Sequence, residues 1–387
     1  MKIVAVETFP VRVARDLAGA TGTAGSPNEL KGQGDYRWSK DYPALYSIHV
    51  ETALIRVRLE DGTYGWGEAQ APLAPEVACT IADRLLAPVL IGAELEPTPA
   101  GIASIWERMY STMRVRGQTG GFMLDAMSGV DLALWDLAGK LAGLPVAAML
   151  NPAGSARSVP SYLSGVSGAS IEEKVAYASR YHDMGFRACK LYYESDWDAL
   201  LEQVDALSPN FQVAVDALWH LDPDRAAEQA GRLDQRQALW LECPLMPEDA
   251  AGHAALARSI ETPLAIGESY RTCHELAPYF ASRAMGYVQP DLGRSGITES
   301  IRIAERARGL GMKVVPHVSI AFGPQIAAAI HLAAALRNCP MCEYNPRVVE
   351  VADRFLTVPI SMEGPCYLVP TEPGLGIDLD LQALGLT

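Results

Sequence analysis

The sequence contains no run of about 18 uninterrupted apolar residues, the length that a membrane-spanning helix requires. It also lacks a block of lysine and arginine, and its formal net charge is −14. This charge disfavours nucleic acid and anionic membranes as partners. The N-terminus lacks the basic region and the apolar stretch of a secretory signal. We therefore expect a cytoplasmic protein that binds neither nucleic acid nor a membrane.

Cysteine is scarce, and its spacing does not complete a zinc site. Cys339 and Cys342 form a C-x₂-C motif, but the remainder of the seven cysteines supplies no second pair. We expect reduced, structural thiols. Hydrophobic residues make up 49% and charged residues 20% of the chain, which is typical of a well-packed globule. A length of 387 residues leaves room for a barrel and a smaller domain.

The first part of the chain has the pattern of a small α+β domain. Residues 2–13 and 48–60 alternate apolar and polar side chains, as half-buried strands do. Helical periodicity follows over about 75–90, 101–114 and 122–143. We place this capping domain at residues 1–125.

From Ser158 the pattern changes to strand, helix, strand, helix, without hairpin signals. The strand-like runs are 158–165, 185–192, 211–217, 238–243, 263–268, 284–290, 313–318 and 341–344. Eight such runs separated by helical segments predict a parallel (β/α) barrel. We place the barrel at 126–349, and we expect 350–387 to return to the capping domain.

Three acidic residues recur at one spacing, each at the end of a strand-like run. Asp216, Glu242 and Glu268 follow one another at equal intervals (242 − 216 and 268 − 242 both give 26). Because the carboxyl ends of parallel barrel strands meet at one face, we expect the three carboxylates to converge there. Three carboxylates this close cannot all ionise without a compensating cation. The sequence therefore predicts one hard divalent metal ion, Mg²⁺.

The other strand-like runs also end in titratable side chains: Lys190 and Tyr192, then Asp291, His317 and Glu343. His317, oriented by Asp291, is a natural general acid or base near neutral pH. The metal would stabilise the enediolate that forms when the C–H beside a substrate carboxylate loses its proton. Lys190 would add positive charge beside that oxygen. Glu343 would donate to it if protonated, a state that its like-charged neighbours favour.

These residues resemble the enolase superfamily and, within it, the mandelate racemase-like subgroup. The resemblance spans nearly the whole chain and lies in residues 61–68, 131–140, 242–245, 267–268, 289–291 and 316–317. It implies an α+β cap, completed by the C-terminal segment, over a modified (β/α)₇β barrel. It further implies that Asp216, Glu242 and Glu268 bind Mg²⁺ and that His317 and Asp291 form a dyad.

The sequence departs from the family pattern at a few positions. The second barrel strand commonly ends in Lys-x-Lys, with the second lysine as a base, whereas this chain has Tyr192 there. A tyrosine has a pKa near 10, so Tyr192 would be a base only if the metal and Lys190 depressed that pKa. It could equally donate a proton or orient the substrate. Cys243 replaces a common Glu, and no lysine follows Asp291, which disfavours the muconate-lactonizing and dipeptide-epimerase branch.

The function favoured is a Mg²⁺-dependent dehydratase of a sugar acid, an aldonate or aldarate, that yields a 2-keto-3-deoxy acid. A racemase, epimerase or sugar-lactone cycloisomerase would use the same enolate chemistry. A barrel hydrolase would carry an early His-x-His motif, which this chain lacks. An aldolase would use Lys190 as a Schiff base, and a non-catalytic binding protein would keep only the fold.

A long segment of the capping domain is expected to close over the barrel and bind the far end of the substrate. Its candidate side chains are Arg37 and Tyr46, together with Arg15, Lys31, Lys40 and Tyr42. A solvated loop is the alternative. We expect His220 to face solvent, Trp66 and Trp135 to be packing residues, and the chain to form a homo-oligomer.

Overall fold

The computed structural model describes residues 1–14, 34–39 and 44–386. The capping domain contains a three-stranded antiparallel sheet formed by Ile3–Ala14, His49–Leu59 and Tyr64–Ala69, with His49–Leu59 in the centre. A separate hairpin pairs Tyr36–Ser39 with Ala44–Ser47. The helices of this domain are Glu76–Ile81, Ala87–Leu90, Pro99–Arg114 and Gly121–Ala142, and a π-helical turn, Ala82–Leu86, joins the first two.

The long helix Gly121–Ala142 packs directly on the strand Tyr64–Ala69. Glycine permits this approach, because a Cβ atom at Gly67 would collide with the carbonyl oxygen of Gly129. The boundary expected between residues 125 and 126 falls inside this helix. The barrel proper begins further along the chain, at the strand Ser158–Ser164.

Eight strands form the parallel barrel sheet. In chain order they are Ser158–Ser164, Ala188–Tyr192, Gln212–Asp216, Leu241–Glu242, Leu264–Ile266, Tyr287–Val288, Lys313–Val314 and Cys342–Tyr344. The first seven pair in sequence, each parallel to the next, and the eighth pairs with the first. The helices between them are Ile171–Asp183, Trp197–Leu207, Pro223–Asp234, Ala250–Ser259, Ala277–Ser282, Leu292–Gly309 and Pro324–Ala335. The predicted (β/α)₇β barrel is confirmed.

The C-terminal segment contacts both parts of the protein. It contains the helix Pro346–Asp353 and the short strands Met362–Glu363 and Cys366–Leu368, and the last of these pairs antiparallel with the first barrel strand. Further on, Asp378 accepts hydrogen bonds from the Tyr64 hydroxyl at 2.9 Å and the Trp66 indole at 2.8 Å. The segment thus ties the barrel to the cap.

Within the described part of the chain, no helix is both long and apolar enough to cross a membrane. All seven cysteines lie in that part and are free thiols, as expected. Trp66 and Trp135 are buried in the core, as also expected.

The interior of the barrel carries a buried layer just below the strand ends. Its members are Tyr162, Ala188, Ala214, Trp240, Ala265, Tyr287 and Val315. Most stand two residues before a polar strand-end side chain, as Ala214 precedes Asp216. Because side chains two apart share a strand face, this layer supports the polar residues from below.

Candidate active site

Three carboxylates meet at the carboxyl ends of the third, fourth and fifth barrel strands. Oxygen atoms of Asp216, Glu242 and Glu268 all lie within 4.8 Å of one another, and the first two side chains are buried. Parallel pairing produces this convergence, since Asp216 is the register partner of Glu242. The expected convergence of these three side chains is confirmed.

The three carboxylates are close and largely buried, so a positive charge between them would stabilise their ionised forms. Burial raises the pKa of Asp216 well above its ordinary value, and the charge of Glu242 raises it further. Burial also raises the pKa of Glu268. Three convergent carboxylate oxygens, without a thiolate among them, fit the donor preference of Mg²⁺.

Lys190 lies inside this cluster with no exposed surface. Its Nζ is 2.6 Å from Glu242 Oε1, 3.0 Å from Glu343 Oε1 and 3.9 Å from Asp216 Oδ2. Burial alone would lower the pKa of Lys190, but Glu242 and Glu343 outweigh it and raise that pKa well above its ordinary value. The lysine is therefore a fixed positive charge at neutral pH.

The expectation that Glu343 is protonated is wrong. Burial would raise its pKa, but Lys190 and His317 outweigh burial and lower the pKa of Glu343 to about 2. A backbone N–H from Val318 also donates to Oε2 at 3.0 Å. Glu343 is ionised because two cationic groups face it, a feature that strand-end spacing does not reveal.

His317 forms the expected pair with Asp291. Its Nδ1 is 2.8 Å from Asp291 Oδ2, and its Nε2 is 3.1 Å from Glu268 Oε2. Burial would lower the pKa of His317, but Glu268, Glu343 and Asp291 outweigh it and raise that pKa to about 10. The ring therefore lies between Asp291, which orients it, and the carboxylate cluster, and it carries a proton at neutral pH.

Tyr192 faces the site, but it is poorly suited to act as a base. Its ring lies 5.4 Å from Lys190 Nζ, and its hydroxyl is 2.7 Å from the Ser164 hydroxyl. Burial raises the pKa of Tyr192, and Lys190 offsets this only in part. Proton donation and substrate orientation are the roles that this geometry allows.

Sequence reasoning missed three side chains that touch the site: Ser164, Trp240 and Gln289. Ser164 bonds Tyr192, and the other two donate to Glu242. None of these three side chains is charged, so they are not found when strand ends are searched for titratable residues. Strand alternation could have found them, since Tyr162 and Ser164, like Trp240 and Glu242, share a face.

A cavity of about 690 Å³ opens among the loops that follow Asp216, Glu242 and Glu268. It is lined by Ala44, Tyr46, Leu218, Trp219, His220, Leu221, Asp222, Pro223, Leu245, Met246, Pro247, Asp249 and Ser269. These residues belong to the hairpin of the capping domain and to the loops after the third and fourth barrel strands, apart from Ser269, which follows Glu268. The cavity thus joins the cap to the barrel mouth.

One residue that lines this cavity differs from expectation. His220 is half-buried rather than facing solvent, with Nδ1 2.6 Å from the Leu218 carbonyl oxygen, and it lines the cavity. Arg37 is the cross-strand partner of Tyr46, but it is not among the described residues that line the cavity. Its Nε donates to the Gly34 carbonyl at 2.8 Å. The candidates Arg15, Lys31, Lys40 and Tyr42 lie outside the described residues.

The fold and the site define a barrel that gathers titratable side chains at the carboxyl ends of its strands. The sequence matches two family models, mandelate racemase / muconate lactonizing enzyme N-terminal domain over residues 41–151 and enolase C-terminal domain-like over residues 173–383. The chain therefore belongs to the enolase superfamily and is mandelate racemase-like.

Known proteins resemble this chain over most of its length. It is 29% identical to D-galactarolactone cycloisomerase of Agrobacterium fabrum, over 86% of this chain and 89% of that protein. It is also 29% identical to arabinonate dehydratase of Saccharolobus solfataricus, over 89% of this chain and 93% of that protein.

Solved structures extend the comparison to the whole fold. An enolase superfamily member from Agrobacterium tumefaciens superposes with a TM-score of 0.92 at 30% identity, covering 100% of this chain and 98% of that one. L-talarate dehydratase from Polaromonas sp., solved with Mg and L-glucarate, superposes with a TM-score of 0.81 at 26% identity, covering 100% of this chain and 97% of that one.

Proposed function

We propose that this protein is a Mg²⁺-dependent dehydratase of a sugar acid, an aldonate or aldarate. It would remove the proton next to the substrate carboxylate and eliminate the β-hydroxyl, which gives a 2-keto-3-deoxy acid. The convergence of Asp216, Glu242 and Glu268 beside Lys190 and the His317–Asp291 pair carries the proposal. Relatives named as arabinonate and L-talarate dehydratases support the reaction type.

Asp216, Glu242 and Glu268 would hold the metal. Their convergent oxygens and the Mg-bound relative support this assignment. When bound, Mg²⁺ supplies positive charge that stabilises the negative charge developing on the substrate carboxylate.

Lys190 would place a second positive charge beside the oxygen on which the enolate charge develops. Since Lys190 is fully buried and held by Glu242 and Glu343, it needs no reorganisation when that charge appears. Glu343, being ionised, would hold Lys190 and His317 in place rather than donate a proton to the substrate.

His317 would move the protons, with Asp291 fixing its orientation through Nδ1. Its Nε2 is the nitrogen that faces the carboxylate cluster. The negative charge of Glu268 is the largest cause of the raised pKa of His317, so a cation bound at Glu268 would lower that pKa. The neutral ring could then take the α-proton and afterwards protonate the departing hydroxyl, which makes one such group enough for dehydration. Tyr192 would bind or orient the substrate from the second strand.

The distal part of the substrate would occupy the cavity lined by Tyr46 and His220. Tyr46 offers a hydroxyl and His220 a ring nitrogen, both of which suit the hydroxyl groups of a sugar chain. Arg37, the cross-strand partner of Tyr46, would bind the same end of the substrate.

A sugar-lactone cycloisomerase is the second candidate. The relative named D-galactarolactone cycloisomerase matches at the same 29% identity as the dehydratase. Ring opening by β-elimination also needs only one acid–base residue. A racemase or epimerase would require a second base, which the raised pKa of Tyr192 disfavours.

Turnover of a library of sugar acids and their lactones with Mg²⁺ in deuterated water would test the proposal. Keto acid formed from an open-chain sugar acid supports the dehydratase. Consumption of a lactone alone favours the cycloisomerase, and α-deuterium exchange without elimination favours an epimerase. Absence of all three across the library would contradict the proposed enolate chemistry.

A further inference from the structure

The Glu242 carboxylate is held on both oxygens by side chains of the barrel interior. Oε1 accepts from Lys190 Nζ at 2.6 Å. Oε2 accepts two further bonds, from the Trp240 indole N–H at 2.9 Å and from the Gln289 amide at 2.7 Å. All four side chains are fully buried. Two of these three donors are uncharged, and nothing in the acid–base chemistry above uses them.

Trp240 owes its orientation to the aromatic layer beneath the site. Its ring packs edge-on against Tyr162, with centroids 5.1 Å apart, and lies 4.9 Å from the ring of Tyr287. The strands that lie between these three rings contribute only Ala188, Ala214 and Ala265 at this level, which leaves space for the large side chains. Packing therefore fixes the direction in which the indole N–H points, towards the strand end and Glu242.

Gln289 approaches the same oxygen from the sixth barrel strand. Its amide nitrogen donates to Glu242 Oε2, whereas its amide oxygen has no hydrogen-bond partner in the described protein. The reverse amide orientation would place that oxygen against a carboxylate, so the donor orientation is the stable one. Retaining a buried, unpaired amide oxygen costs stability, and the bond to Glu242 is the compensating gain.

We propose that Trp240 and Gln289 are positioning residues for metal binding. Together they anchor Oε2 and prevent the carboxylate from rotating, which keeps Oε1 turned towards Lys190 and the cluster. This inference rests on the proposed magnesium site, and it assigns to two neutral residues a share of the metal affinity. Partners that orient a ligand in this way commonly contribute about 10-fold to 100-fold to metal affinity.

The test compares the Mg²⁺ dissociation constants of four purified proteins by calorimetry: wild type, Trp240→Phe, Gln289→Leu and the control Trp135→Phe. Trp240→Phe removes the N–H donor and keeps an aromatic ring between the two tyrosines. Trp135 is also buried, and its indole donates at 2.9 Å to Thr298 Oγ1, a hydroxyl whose own acceptor is Asp131 rather than a carboxylate of the cluster. The control therefore loses a comparable bond without touching the site.

We expect Trp240→Phe and Gln289→Leu each to weaken Mg²⁺ binding by about 10-fold or more, and Trp135→Phe to bind as wild type does. Two independent donors keep the test valid if one variant fails to fold. Wild-type affinity in both site variants, or equal weakening in the control, overturns the inference while leaving the magnesium site in place. If wild type binds no Mg²⁺, or if Asp216→Asn does not reduce binding, the proposed function itself fails.

Discussion

Glu68 and Phe322 lie 254 residues apart in the sequence and are joined by a hydrogen bond of 2.7 Å, from the Phe322 backbone N–H to Glu68 Oε1. Glu68 lies in the last strand of the capping-domain sheet, Tyr64–Ala69, whereas Phe322 lies in the loop that follows His317. The hydroxyl of Thr52 donates to the same oxygen at 2.9 Å. The capping domain thus holds the loop that follows His317.

Replacing Glu68 should therefore destabilise the protein. Glu68→Ala leaves the backbone N–H groups of Phe322 and Gln325 without their acceptor in a buried setting, at a cost of about 1–3 kcal/mol for each group. We expect the free energy of unfolding in urea to fall by at least about 2 kcal/mol. Glu68→Gln keeps one acceptor oxygen and should lose less. Equal stability of Glu68→Ala and wild type would refute the role of this contact.

His317→Asn should abolish elimination and leave the metal site largely intact. General acid–base groups typically contribute about 10²-fold to 10⁴-fold in rate, so we expect a loss of that size in kcat. Calorimetric Mg²⁺ binding should survive, because the three carboxylates are unchanged. A variant that kept more than a tenth of wild-type turnover would remove His317 from the chemistry.

Tyr192→Phe should have a much smaller effect than His317→Asn. Burial raises the pKa of Tyr192, so its hydroxyl is not available as a base at neutral pH. The phenylalanine ring can keep its place beside Lys190. We expect kcat to fall by about 10-fold or less, and Ser164→Ala, which removes the hydrogen-bond partner of Tyr192, to behave alike. A loss as large as that in His317→Asn would show that Tyr192 transfers a proton.

His331 should make stability depend on pH. The ring is buried, with the Ala147 N–H donating to Nδ1 at 3.2 Å and Nε2 bonded to the Leu375 carbonyl at 3.1 Å. Burial lowers the pKa of His331 from 6.5 to about 4. The unfolded chain therefore binds the proton more tightly. The stability that the neutral ring contributes is complete above pH 6.5 and is lost as the pH falls towards 4.

The difference between the pKa of His331 in the unfolded chain and in the folded protein corresponds to a loss of roughly 3 kcal/mol in the free energy of unfolding at the acidic end of the range. Carboxylates also titrate in this range, so the measurement is the difference between wild type and His331→Gln in urea unfolding from pH 7.5 to 4. We expect the stability of wild type to fall more steeply than that of the variant. Parallel curves would show that His331 is not buried as a neutral ring.

The barrel and its charged strand ends could be predicted from sequence because both leave periodic signals. The 26-residue interval between Asp216, Glu242 and Glu268 is one βα unit, and each unit ends at the same face. Element bounds were less exact. The predicted start at Ile297 marks only the second part of Leu292–Gly309, because Gly296, with φ of 62°, breaks the helix and a first part precedes it.

The details of the site depend on distances that one sequence does not contain. The ionised state of Glu343 follows from Lys190 Nζ at 3.0 Å, which spacing along the chain cannot supply. His220 turns into the cavity because Leu218 and Trp219 adopt φ values of 51° and 58°, a left-handed turn uncommon for such residues. Homo-oligomer formation stays a prediction.

Asp216, Glu242 and Glu268 are proposed to bind a single divalent ion. A crystal structure of the protein grown in saturating Mg²⁺ would show whether they do. We expect one ion within about 2.0–2.1 Å of an oxygen from each of the three side chains, and its loss in Glu268→Gln crystals grown under the same conditions. Electron density showing the three carboxylates without an ion between them would contradict the account.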